Sequence, residues 1–192
     1  MTDSINLTKG ESISLTKKVP SLTNVFVGAG WDVNEGKTMD LDLSAFQLDA
    51  NGKCVGKQGF VYFGNLNSGD ASVNHTGDNL TGVGEGDDEV INVDLTKVAG
   101  NVQSIVFIAA IYLAAAKGQS LNDLKNAHLR VVNATNNEEL AIFKINEPLS
   151  GASIVLGELV RDADGWSYKA IGQANLGEIG SYVAQYGLQN AA

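Results

Sequence analysis

"MDLDLSAFQLD", residues 39–49, alternates apolar and polar side chains through its first six positions. Met39, Leu41 and Leu43 fall on one side and Asp40, Asp42 and Ser44 on the other, the period of two expected of a β-strand with one buried face. Working outward, "ESISLT" alternates through Ile13 and Leu15, and "LTNVFVGAGW" follows across a turn at Pro20. Downstream come "GFVYF", "EVINVDL", "SIVFIAAIYL", "LRVVNA", "ELAIFKI", "SIVLGELV" and "WSYKAI", separated by the turn signals "DANGK", "NATNNEE" and "RDADGW". About ten short strands with polar turns predict an all-β fold, an antiparallel β-sandwich.

Two short helices are expected beside the strands. "SLNDLKNA" opens at Ser120 with Asp123 three residues on, a capping-box-like entry. The C-terminal "NLGEIGSYVAQYGL" places Leu176, Ile179, Val183 and Tyr186 on one stripe, with Asn175 as the cap. No linker or composition shift divides residues 1–192, so one domain is expected.

The charge of −9 is unevenly spread. Between Lys57 and Lys97 there is no basic residue, yet seven acids lie there, and without them the chain has 15 acids against 13 bases. An acidic patch of this kind repels nucleic acid and anionic membranes unless something neutralises it first, and nucleic acid is not an expected partner. The single cysteine, Cys54, excludes an intrachain disulfide, and the N-terminus lacks the profile of a signal peptide. The longest apolar run, Ile105–Ala116, has 12 residues, too few to span a bilayer, and reads as a buried strand entering a small-residue loop. A cytoplasmic location follows as the expectation.

The acids concentrate in "GDNLTGVGEGDDEV", residues 77–90, with five acids and four glycines in fourteen residues. A phosphate loop is excluded, because the acids repel phosphate and no Gly-Lys-Ser/Thr follows. An EF-hand also fails. Asp78 and Glu89 occupy the first and last of twelve positions, but Leu80 and Gly82 stand at the third and fifth and Val83 at the sixth, where glycine is needed. A solvated acidic loop and a calcium loop of another design both remain. Asp40 and Asp42, on one strand face about 7 Å apart, add a second feature served by water or a cation. Asp32, in "GAGWD", follows a strand that ends near the same place. "LDANGK" and "RDADGW" resemble the start of an EF-hand loop, but lack its final acid and read as hairpin turns with Gly52 and Gly165 at positive φ.

Catalytic motifs are not found. His75 and His128 do not have a zinc spacing, no G-x-S-x-G elbow is present, and Cys54 sits beside a turn as a small filler. The chain is therefore expected not to be an enzyme.

Several stretches together resemble the TerD tellurite-resistance family: "LTKGESISLTK", "VGAGWD", "DLDLSAF", "HTGDNLTGVGEGDDEVINVDL", "VVNATNNEELAIFKI" and "GELVRDADGWSYKAIGQ". The likeness runs from about Ile5 to Gly187. It implies a bacterial stress-response protein, a calcium-binding β-sandwich associated with resistance to tellurite, phage and colicins. It further implies one or two Ca²⁺ ions held by side chains or carbonyls of Asp78, Asn79, Leu80, Gly82, Glu85, Asp87, Asp88 and Glu89, with Asp32, Asp40 and Asp42 contributing. The partners expected are proteins of a stress-response complex, with its association with a membrane left open. Calcium-bridged recognition of lipid headgroups or carbohydrate is the alternative, favoured by an exposed aromatic at Trp31, Tyr62 or Phe63. This chain departs from the pattern in reading "IYLA" for "IYDA", which puts Leu113 where an acid is usual.

Overall fold

The computed structural model describes residues 4–34, 39–77 and 86–188. Among these residues twelve strands form two six-stranded sheets, arranged as a sandwich as expected. The first sheet takes β1 (Ile5–Leu7), β3 (Asn24–Val33), β6 (Val73–His75), β7 (Glu89–Asp94), β9 (Leu124–Asn133) and β10 (Glu138–Lys144), in the order β1-β10-β9-β3-β7-β6. The second takes β2 (Ser12–Ser14), β4 (Leu41–Leu48), β5 (Phe60–Val61), β8 (Ser104–Ile111), β11 (Ser153–Asp162) and β12 (Gly165–Asn175), in the order β2-β12-β11-β8-β4-β5. All pairings are antiparallel except β1 with β10.

Inward-facing residues of both sheets, among them Val27, Ala29, Leu43, Ile91, Phe107 and Leu129, form the main core. β8 is buried on both faces, which accounts for its unbroken apolar run. Its outer face, with Phe46 of β4, carries a second small core under the C-terminal helix, reached by Tyr182 and Tyr186. That helix, Ile179–Gln185, is shorter than its sequence pattern suggests. Asn175 closes β12 instead of capping, Leu176 is 84% exposed, and Glu178 begins the helix without a side-chain cap. Pairing of β12 with β11 out to Ser153 claims those residues first. Ser120 does accept a bond from Asn122 N–H, but only a single 3₁₀ turn, Leu121–Asp123, follows before β9. Two four-residue helices, Leu15–Lys18 and Ala114–Lys117, were not expected, and the second stands where a loop was read. Gly52 and Gly165 have the positive φ expected of their turns.

The connection from β5 to β6 is tied down by Asp70. Its carboxylate accepts from the hydroxyls of Ser68 and Ser72, both at 2.7 Å, from the N–H groups of Ser72 and Ala99, and from the Gln47 amide. Burial raises the pKa of this group, but the bonds from Ser68, Ala99 and Ser72 outweigh it and bring it down to about 2. An unfolded aspartate titrates near 3.9, so the native state binds the proton less well. The contribution is complete above about pH 4 and is lost as pH falls from there towards 2. Chemical denaturation across pH 2–5 should therefore show a slope that flattens in Asp70→Asn, and an unchanged slope would refute this role.

Candidate metal centre

The acidic segment reaches the fold across a gap made by glycine. Gly28 and Gly30 lie on the outer face of β3, on either side of the inward Ala29. A Cβ on Gly28 would lie 2.1 Å from Asp87 Oδ2, and one on Gly30 would lie 2.4 Å from His128 Cε1 and 2.7 Å from the Gly86 carbonyl. Only the absence of both side chains lets residues 86–88 cross this strand. Gly77 and Gly86, with φ of 128° and 102°, stand at the two borders of the segment, where an L-residue with a side chain would be strained.

Three consecutive acids then take three roles. Asp87 lies over Gly28 and pairs with Arg130 of β9 through two hydrogen bonds, Nε–Oδ1 at 2.7 Å and Nη2–Oδ2 at 2.8 Å. His128 Nε2 stands 3.8 Å from the same carboxylate. Burial alone would raise the Asp87 pKa, but His128 and Arg130 outweigh it and hold it below the usual carboxylate range. In return, the nearby Asp87 carboxylate raises the pKa of His128.

Asp88 is the least comfortable of the three. It accepts a 2.8 Å bond from Trp31 N–H, and its own N–H donates to the Ala29 carbonyl. Its pKa is nonetheless raised, chiefly by burial and further by the charges of Asp32 and Asp87. Asp32 is exposed and accepts from Asn126 Nδ2 at 2.7 Å.

Glu89 turns inward instead. Its Oε2 accepts from Leu43 N–H of the opposite sheet at 2.5 Å, and lies 3.5 Å from His75 Nε2. Gly77 N–H donates to His75 Nδ1, so the ring proton sits on Nε2 and is donated to the Leu43 carbonyl at 3.0 Å. Thr76 adds a backbone and a hydroxyl bond to the Val90 carbonyl, so the segment is anchored on both sides.

Asp40 and Asp42 stand elsewhere. Asp40, just before β4, pairs with Lys117 at 3.2 Å, and its Oδ1 is buried with no hydrogen-bond partner among the described residues. Asp42 lines a cleft on the outer face of the second sheet, whereas Asp32, Asp87 and Asp88 gather on the outer face of the first. Asp78, Asn79, Leu80, Gly82 and Glu85 lie outside the described residues. Among the described residues no three acidic, histidine or cysteine side chains converge as a metal site. Carboxylates beside a backbone carbonyl are still the oxygen donors that a hard cation takes.

Sequence reasoning weighed His128 only as a zinc ligand and did not single out Arg130, so it missed the pairing of both with Asp87. Their signal was present, since "HLR" places both on one face of a strand. The long interval without basic residues also required its counter-charge to come from elsewhere in the chain.

The sandwich and its acidic segment define a class of compact β-proteins, and comparisons give that class a name. The chain belongs to the TerD family, whose domain matches residues 3–186. It is 44% identical to the tellurium resistance protein TerD of an Alcaligenes species, over 96% of this chain and 98% of that one. It is 43% identical to general stress protein 16U of Bacillus subtilis (strain 168), with the same coverage. A crystal structure of a telluride resistance protein homologue from Streptomyces coelicolor A3(2) shares the fold, with a TM-score of 0.66 at 20% identity over 84% of this chain and 95% of that one. No helix among the described residues is long and apolar enough to cross a membrane.

If Asp87 holds the segment in this way, Asp87→Asn should return the pKa of His128 towards the ordinary value near 6.5 and lower the melting temperature. NMR titration of the His128 ring in both proteins checks this, and an unmoved midpoint would contradict the pairing.

Proposed function

We propose that this chain is a non-enzymatic, calcium-binding stress-response protein in which one Ca²⁺ ion orders residues 77–89 against the outer face of β3. The observation that carries the reading is Asp88, a partly buried carboxylate whose charge is opposed by Asp32 and Asp87. A divalent cation would relieve that opposition and favour the ionised form. The proposed ligands are Asp32, Asp88 and the Gly86 carbonyl, with oxygens from Asp78, Asn79, Leu80, Gly82 and Glu85 completing the shell. Asp87 would keep its pairing with Arg130 and position the segment, and Glu89 would act as an internal strut. A second ion at Asp40 and Asp42 is not part of the proposal, since Lys117 already neutralises Asp40.

Membership of a family with relatives named for tellurium resistance and general stress supports the stress-response part. The groups that hydrolytic chemistry would need are engaged otherwise. His75 is buried with both ring nitrogens bonded, His128 serves Asp87, and burial pushes the Cys54 thiol up to about 11. In this reading Ca²⁺ binding reshapes a surface that protein partners of a cytoplasmic stress-response complex read. Calcium-bridged recognition of lipid or sugar has less support. Trp31 is buried in the core, and Tyr62 and Phe63 line the cleft on the opposite face.

Ca²⁺ at about 100 times its dissociation constant should add roughly 2.7 kcal/mol if only the folded state binds. For a chain of this size that corresponds to a rise of roughly 5–10 °C in melting temperature. Thermal unfolding in EGTA and in Ca²⁺ is the test. The rise should disappear in Asp88→Asn and survive in Asp42→Asn, and its absence from the unsubstituted protein would refute the proposal.

A further inference from the structure

A cleft of about 290 Å³ opens on the outer face of the second sheet, between β4, β8, the 60–63 segment and the start of the C-terminal helix. Its lining combines the rings of Tyr62, Phe63 and Tyr112 with the carboxylates of Asp42 and Glu178. The rings belong to a continuous ladder. Phe60 stacks on Tyr62 at 4.4 Å, Tyr62 meets Phe63 edge-on at 5.2 Å, and Phe63 meets Tyr112 edge-on at 5.9 Å. Such contacts hold the ring faces in place before any ligand arrives.

The chain already shows which chemistry this surface accepts. Lys117 holds its ammonium 5.1 Å from the centre of the Tyr112 ring while pairing with Asp40. That is a cation on an aromatic face with a carboxylate behind it. Beside it, Asp42 and Glu178 bring two further carboxylates to the cleft, and among the described residues that line it there is no lysine or arginine. Glu178 is steadied from behind by a 2.9 Å bond from Ala115 N–H.

The rim points to a protein as the source of the cation. Phe63, Tyr112 and Leu113 are 40%, 44% and 47% exposed, so three large apolar side chains stand in solvent around one charged hollow. Leu113 does so with φ of 56°, a left-handed conformation that is strained for a leucine. The cleft is at the bottom of the roughly 300–1,000 Å³ range of small-ligand pockets, a size suited to one long side chain. We propose that it receives a lysine or arginine side chain of a partner protein. Its alkyl stem would lie against Tyr62 and Phe63, its charge would face Asp42 and Glu178, and the apolar rim would cover the partner's backbone.

The test is an aromatic ¹H–¹³C NMR titration with acetyl-Ala-Ala-Lys-Ala-amide, its arginine counterpart and a norleucine counterpart. The lysine and arginine peptides should shift the rings of Tyr62, Phe63 and Tyr112 saturably, and the norleucine peptide should not. Tyr112→Ala and Glu178→Gln should each weaken binding about two- to fivefold, the range of a single exposed cation–π or charge contact, with the far-UV circular dichroism of the folded protein unchanged. No shift, or equal shifts with norleucine, would overturn the proposal. Agmatine binding as tightly as the arginine peptide would overturn the assignment to a protein partner. The shifts should be the same in EGTA and in saturating Ca²⁺, which separates this site from the calcium reading, and their loss on adding Ca²⁺ would also overturn it.

Discussion

The backbone of Leu43 is the point on which this end of the sandwich depends. β5 pairs with only Ala45 and Phe46, so the N–H and C=O of Leu43 face the free edge of β4 inside the protein. A buried backbone group without a partner costs about 1–3 kcal/mol. Glu89 of the opposite sheet takes the N–H and His75 takes the carbonyl. Two strand edges that share no ladder are thereby joined through side chains. Because Glu89 starts β7 and His75 ends β6, the same joint sets where the intervening segment leaves and returns.

From that anchor the acidic run acquires its order. Alternation along the chain sends Glu89 into the core, and the neighbouring acids remain outside. Asp87 settles into the space that Gly28 leaves, held by Arg130, and Asp88 is left facing like charge. A mass of charge in the sequence thus resolves into a strut, a pin and a partly buried carboxylate beside the charges of Asp32 and Asp87. The apolar-rimmed cleft lies on the far face, so the two features do not share a surface.

Much of this architecture was legible in the sequence. The period-two run Glu89–Asp94 is a strand because it has one face to bury, Leu41–Leu48 buries Leu41 and Leu43 in the main core and Phe46 in the second, and Gly52 and Gly165 mark turns. Legibility failed where a local pattern competed with sheet pairing. Asn175 and Leu176 suit a helix start, but Asn175 is claimed by β12. The site was legible as a concentration of acids and glycines, not as an arrangement. Nothing local indicates that Asp87 faces Arg130, 43 residues away, or that Glu89 crosses to Leu43, 46 residues away. Asp40 and Asp42 were grouped with the acidic segment by their shared strand face, their charge and the family resemblance, and the separation of the two outer faces is a property of the folded sandwich.

The central claim is that a divalent cation belongs beside Asp88 while Asp87 keeps Arg130. The most direct measurement is a crystal structure grown with Ca²⁺, or with a lanthanide in its place, and phased on the anomalous signal of the ion. The account predicts one strong peak within coordinating distance of Asp88, Asp32 and the Gly86 carbonyl, with the Asp87–Arg130 bonds intact. A peak that displaces Arg130 from Asp87, or one found only at Asp40 and Asp42, would contradict it.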